Sequence, residues 1–142
     1  MTDCVLCRVV AGTEPVPGGV LLREGGFALH AVAAPSPVRG WLVLSSLRHV
    51  RAVYALDEGE SSALGPLMAK VMRAQVQALG AEHVYAFAIG DAVHHCHVHL
   101  VPRFADTPAH LRGVAIFKAP ADAALEEPTL ADAARAVKAA LS

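Results

Sequence analysis

Half of the chain's eight histidines fall in the stretch Asp91-Ala92-Val93-His94-His95-Cys96-His97-Val98-His99-Leu100-Val101-Pro102-Arg103. His95, His97 and His99 alternate with Cys96, Val98 and Leu100, and alternation at period two is the pattern of a β-strand. Successive strand side chains point to opposite faces, which predicts a row of three imidazoles with Cα atoms about 6.6–6.8 Å apart. Cys96, Val98 and Leu100 turn the other way and read as core. An imidazole holds or releases a proton near neutral pH, and its unprotonated nitrogen can attack phosphorus or bind a metal. The run is internal and interleaved with apolar residues, unlike a purification tag. The competing readings are a pure metal site and a chance cluster of surface histidines. His94 falls on the Cys96 face and reads as a satisfied core or surface histidine, and His30, His83 and His110 carry no signal.

The elements that must position this row can be read in chain order. Cys4-Val5-Leu6-Cys7 is a Cys-x-x-Cys pair, which alone fits a metal clip, a redox pair or chance. Val20 to Glu24 and Phe27 to Val32 read as strands joined at Gly25-Gly26, a hairpin turn. Trp41 to Leu44 is a short buried strand, and His49 follows it. Asp57 to Gly80 is the main helix, with Leu64, Leu67, Met68, Val71, Met72, Val76 and Leu79 on one core-facing stripe. Pro66 is too deep for a first-turn proline, so either the helix starts later or it bends there. Val84 to Ile89 reads as a strand, and the turn Gly90-Asp91-Ala92 makes it an antiparallel neighbour of the histidine strand. Phe104 to Gly113 is a polar loop, and Val114 to Phe117 is a last strand or an extended segment. Thr129 after Pro128 caps a short Ala-rich helix to Leu141.

At 142 residues the chain is read as one domain, residues 1–142. Hydrophobic residues make up 54% and charged residues 18%, which argues against disorder. No window approaches the ~20 unbroken apolar residues of a membrane span, and Met1-Thr2-Asp3-Cys4 opens no secretory signal. Three cysteines without an export signal make a disulfide framework the weaker reading, and the expected compartment is the cytoplasm. A net charge of −1 supplies no electrostatic footprint for nucleic acid. No Gly-x-Gly-x-x-Gly fingerprint of a dinucleotide cofactor is present.

The pattern His95-Cys96-His97-Val98-His99-Leu100-Val101, followed by Pro102-Arg103, resembles the signature of the histidine triad (HIT) hydrolases and transferases. The resemblance extends from Cys4 to about Phe104 and takes in Gly40 to Leu44, Arg48-His49-Val50 and the long helix in family order. It implies an α+β fold: an antiparallel sheet of about five strands with one main helix packed on it and a short C-terminal helix. It makes His97 the nucleophile that becomes nucleotidylated at an α-phosphate, and His99 a catalytic and substrate-binding group that polarises the phosphate oxygens. Arg103 is either a phosphate contact or a solvated charge at the strand end. The resemblance to the zinc-bearing bacterial branch implies one structural Zn²⁺ per chain, held by Cys4, Cys7, His49 and His95. Two thiolates and two imidazoles close a tetrahedral shell with no vacant position. A homodimer is likewise implied by the resemblance only.

The sequence also departs from that pattern. Many relatives carry a hydroxyl three residues before the first triad histidine, where it helps the leaving group depart; here the residue is Ala92. The neighbouring Gln position is Asp91, which becomes the candidate polar substrate contact, and the loop looks shorter. The acidic residue that usually holds a ribose is not evident in Ala31-Val32-Ala33-Ala34. The expected activity is therefore a nucleotide hydrolase or transferase acting on dinucleoside polyphosphates or nucleoside phosphoramidates. The rival is a non-catalytic, zinc-stabilised nucleotide-binding module that keeps the histidines as a phosphate cradle. A metal-dependent hydrolase is a third class, weakened because no carboxylates accompany the three histidines.

Overall fold

The computed structural model of the chain describes residues 3–33 and 35–141. Met1 and Thr2 of the N-terminal reading and Ala34 of the ribose-loop reading lie outside the described residues. Helix α1 (Val5–Ala11) precedes strands β1 (Val20–Glu24), β2 (Phe27–Ala31) and β3 (Leu42–Ser46). Helix α2 (Glu58–Leu79), strands β4 (His83–Phe87) and β5 (His97–Arg103) and helix α3 (Glu127–Ala140) follow. The strands form one antiparallel sheet in the order β1-β2-β3-β5-β4. The α+β fold expected from the sequence is therefore present, and the histidine strand β5 lies inside the sheet between β3 and β4.

Both longer helices pack on one face of this sheet. Leu29, Leu42, Leu44, Val98 and Leu100 form one core with Leu64, Leu67 and Val71 of α2 and Ala134 and Val137 of α3. The register places Leu44 beside Val98 on that face, and Ser45 beside His97 and Val43 beside His99 on the other. The period-two alternation thus sorts core from chemistry. The β1–β2 turn uses Gly25 and Gly26 at φ 61° and 88°, a conformation that side chains resist. Gly40 has a second constraint, since a Cβ there would meet Leu79 Cδ1 at 2.2 Å.

Helix α2 begins with a reciprocal capping box: the Asp57 carboxylate accepts from Glu60 N–H, and the Glu60 carboxylate accepts from Asp57 N–H. It runs unbroken past Pro66, so the helix does not start later. Val76, placed on the core stripe by spacing, is 44% exposed. Ala74 and Gln75 are buried in its stead, with Gln75 Nε2 donating to the Gly40 and Leu100 carbonyls. A period of 3.6 drifts over a helix this long, so the last turns present a different stripe from the first.

Three expectations need correction. Val114 to Phe117 is neither a strand nor extended but part of a 3₁₀ segment, Gly113–Lys118. The C-terminal helix begins at Glu127, ahead of Thr129, because Pro128 in its first turn needs no hydrogen-bond acceptor for a missing N–H. Strand β4 stops at Phe87, leaving Ala88 and Ile89 to the loop that reaches the histidines. No helix among the described residues is long and apolar enough to cross a membrane.

Candidate active site and metal centre

The backbone fixes the protonation pattern of the central histidine. His97 Nδ1 lies 2.6 Å from the His95 carbonyl oxygen, which can only accept, so Nδ1 carries the proton. The lone pair is therefore on Nε2. His99 has the opposite tautomer. Trp41 Nε1–H, a pure donor, gives its hydrogen bond to His99 Nδ1 at 3.0 Å, which puts the His99 proton on Nε2. The two rings stand 5.0 Å apart, nearly perpendicular. One ring thus presents a bare Nε2 and its neighbour an Nε2–H donor.

His30, which carried no signal in the sequence, sits behind this pair. It is fully buried, its Nδ1–H donates to the Ala31 carbonyl, and its Nε2 accepts from Ser45 Oγ, both at 2.8 Å. Burial pushes its imidazole down to about 4, with the charges of His97 and His95 adding to the effect. Burial, then His97 and His30, lowers His99 to about 4 as well. Both rings stay neutral at physiological pH. Trp41 and His30 are the site residues that sequence reasoning missed. The cross-strand register is the signal that places them, and it is invisible until β2, β3 and β5 are aligned.

His30, His97 and His99 line a cavity of about 270 Å³ whose remaining wall is mostly apolar. Val5 and Leu6 of α1 close one side, and Val32, Ala33 and Val43 another. Ile89, Ala92, Val93 and Phe117 complete it, with Asp91 exposed on the rim. Phe117, from the 3₁₀ segment, packs edge-on against His99, Trp41 and Phe87. Arg103 does not reach this cavity. Its Nη1 donates to Glu82 at 3.0 Å across the β4–β5 pair, and its guanidinium lies over the Tyr85 ring. His94 is exposed, and its Nε2 lies 3.2 Å from the Asp91 carbonyl oxygen.

His95 lies just ahead of β5 and faces a different group of residues. The ligand atoms of Cys4, Cys7, His49 and His95 all lie within 4.8 Å of one another. His95 Nδ1 is 3.3 Å from Cys4 Sγ, 3.5 Å from Cys7 Sγ and 3.2 Å from His49 Nδ1, while Cys7 Sγ is 3.2 Å from His49 Nδ1. A tetrahedron with Zn–N and Zn–S bonds of ordinary length has edges of about 3.3–3.8 Å, so the donor set fits a zinc ion. His95 Nε2–H donates to the Ser46 carbonyl at 2.7 Å, which leaves Nδ1 bare and aimed at the cluster, the outer hydrogen bond expected of a metal-bound histidine. Burial holds the Cys7 thiol above its ordinary value, and the hydrogen bond and charge of Cys4 add to this; a divalent cation would reverse that balance. Cys4 also serves as the N-cap of α1, its sulfur accepting from Cys7 N–H.

A five-stranded antiparallel sheet with both longer helices on one face, His97 and His99 of an inner strand on the other, and a Cys₂His₂ cluster beside the start of that strand define a histidine-triad-like α+β fold. The comparisons with solved structures agree. The chain is similar to a Zn-bound histidine triad family protein from Mycobacterium smegmatis, at 18% identity and TM-score 0.75, over 99% of this chain and 94% of that one. A hypothetical histidine triad nucleotide-binding protein from Sulfolobus tokodaii superposes with TM-score 0.77 at 16% identity, over 97% and 91% of the two chains. A protein from Streptococcus mutans is 27% identical over 80% of this chain and 74% of its own, with TM-score 0.66. No protein-family profile and no curated protein matches the sequence.

Proposed function

We propose that the chain is a nucleotide hydrolase or transferase that works through a covalent nucleotidyl-histidine at His97. The observation that carries this reading is the pair of opposite tautomers on β5: a bare Nε2 on His97 beside an Nε2–H on His99. His97 Nε2 attacks the α-phosphorus of a dinucleoside polyphosphate or a nucleoside phosphoramidate and forms a P–N bond as the leaving group departs. His99 Nε2–H donates to a non-bridging phosphate oxygen, where negative charge gathers in the transition state. As His97 gains positive charge, the His95 carbonyl on its Nδ1–H stabilises it. Water or a second acceptor then attacks phosphorus and releases His97. Asp91 on the cavity rim is the proposed polar contact to the substrate, while Arg103, paired with Glu82, is not given a phosphate role.

Cys4, Cys7, His49 and His95 are proposed to hold one structural zinc. The ion would clip α1 to the start of β5, and with it Val5 and Leu6, which wall the cavity. Nucleotide binding is a description of the Sulfolobus protein, and this reading extends it to the present chain. A homodimer and a cytoplasmic location belong to the same proposal.

The test is His97→Ala. It should abolish turnover and preserve the fold and nucleotide binding, and intact-mass measurement without acid should find a nucleotidyl adduct on wild type alone. Activity near the wild-type rate in the variant would remove His97 from the mechanism. One observation favours the non-catalytic module: Ala92, with no hydroxyl, lines the cavity. Nucleotide binding by wild type with neither adduct nor turnover would establish that module instead.

A further inference from the structure

The two imidazoles of the metal cluster are held in different ways. His95 is buried, and its Nε2–H is fixed by the Ser46 carbonyl. His49 is exposed, and among the described residues its ring nitrogens have no hydrogen-bond partner outside the cluster. No outer hydrogen bond aims the His49 ring, so its position must come from the backbone that carries it. That backbone is tied to chain on either side. Leu47 N–H donates to the Gly26 carbonyl of the β1–β2 turn at 2.8 Å, and Cys96 N–H donates to the Val50 carbonyl at 2.7 Å. Ser46 Oγ lies 2.7 Å from the Arg48 carbonyl oxygen and 3.3 Å from that of Cys96. The side chain just before His49 is anchored separately. Arg48 Nε and Nη2 donate to Glu60 Oε2 and Oε1 at 3.0 and 2.7 Å, a forked pair. Glu60 is 8% exposed, and its Oε1 also accepts from Asp57 N–H in the capping box of α2. Its stem packs against the β1–β2 turn, where a Cβ on Gly26 would come within 3.0 Å of Glu60 Cγ.

We infer that Glu60 is a positioning residue for the metal centre: through its forked pair with Arg48, the first turn of α2 fixes where the His49 imidazole stands. This rests on the Cys4, Cys7, His49 and His95 zinc site proposed above. The charge of Glu60 is not needed for the helix cap, because a Gln at this position closes the same box. Nor is the pair a main source of stability. The Arg48 side chain is 53% exposed, and an ion pair so open to water contributes little net free energy. What the charge and the fork do supply is direction. Two parallel N–H···O bonds fix the plane of the guanidinium, and the acceptor side is immobilised by burial and by the cap. The residue next to His49 is thus held from both its side chain and its carbonyl, and the exposed imidazole inherits that rigidity.

The experiment compares the full wild-type chain with Glu60→Gln, Arg48→Ala, their combination, and Asp57→Ala. Zinc affinity is read by competition with a chromogenic chelator, and ligand geometry by the absorption spectrum of the cobalt(II)-loaded protein. Melting temperature is taken without metal. Glu60→Gln should weaken zinc binding about tenfold, the lower end of what outer partners of metal ligands contribute, and should shift the cobalt spectrum. Its metal-free Tm should stay within about 2 °C of wild type, since the capping box survives. Arg48→Ala should lose as much affinity, and the double variant no more than either single change. Asp57→Ala should do the reverse, lowering Tm by about 2–4 °C with little change in zinc affinity. Wild-type zinc affinity and an unshifted cobalt spectrum in Glu60→Gln would overturn the positioning role and leave the zinc site standing. Affinity that falls only in step with metal-free Tm, Asp57→Ala included, would overturn it too, by reducing Glu60 to a part of the fold. A wild-type chain that binds neither zinc nor cobalt would overturn both the site and the role.

Discussion

Replacing Trp41 by Phe tests whether an indole N–H governs the chemistry of a histidine. Trp41 is 7% exposed and donates to His99 Nδ1 at 3.0 Å. Phe fills most of the same space but leaves that acceptor without its donor, a loss of about 1–3 kcal/mol for a buried group. If the whole loss falls on the transition state, kcat/KM drops by about 5- to 150-fold. The indole donor also favours the neutral ring, because a proton on Nδ1 would confront the N–H. Its removal should let the His99 imidazole, held at about 4 by burial and by its histidine neighbours, rise toward its ordinary range. The assays are kcat/KM on a nucleotide with a good leaving group and nitrogen NMR of the His99 ring, which reads tautomer and titration directly. Packing will suffer too, so a control is needed. Ile116 sits in the same small cluster as Trp41, and Ile116→Val should cost about 0.5–1.5 kcal/mol without touching the donor. For a chain of this size each kcal/mol lowers Tm by about 2–4 °C, so the two variants can be matched for stability. Unchanged kcat/KM and tautomer in Trp41→Phe, or an equal loss in Ile116→Val, would refute the reasoning.

Further outcomes follow from the metal cluster, the buried histidine and the cavity rim. Metal analysis should find close to one zinc per chain, and Cys4→Ser or Cys7→Ser should lower both zinc content and Tm; metal-free protein of normal stability would exclude the ion as a structural element. His30 is neutral when folded, with its imidazole down at about 4. Unfolded chains therefore take up a proton first as pH falls below ~6.5, and stability present above that pH is lost toward pH 4, by about 3 kcal/mol from this group. The melting temperature should fall over that window, and it should fall less steeply in His30→Gln. Equal pH slopes in the two proteins would contradict the assignment, since zinc loss affects both alike. Ala92 lines the cavity, so Ala92→Ser should raise turnover of substrates with poor leaving groups relative to good ones, by up to about 10²-fold for a working acid. A flat leaving-group series in wild type would mean that another group already supplies the proton.

Much of this architecture is local in origin and therefore written in the sequence. Period-two alternation marked β5 and put His97 and His99 on one face, because strand geometry alone sets which side a residue takes. The glycine pair fixed the β1–β2 turn, and the Asp57/Glu60 box fixed the start of α2. The spacing of Cys4 and Cys7 left a metal clip, a redox pair and chance open, and only the resemblance joined the pair to His49 and His95. Tertiary structure decided the rest, since each remaining feature depends on pairs of residues far apart in the chain. Strand pairing carried Trp41 to His99 and His30 to Ser45, contacts that no local pattern encodes. It set the His99 tautomer, because that follows from the Trp41 donor across the sheet, whereas the His97 tautomer is fixed locally by the His95 carbonyl two residues away. It also sent Arg103 to Glu82 and away from the cavity, although strand parity alone put Arg103 on the histidine face. Side-chain direction is a property of the strand, but the partner a side chain meets is a property of the fold.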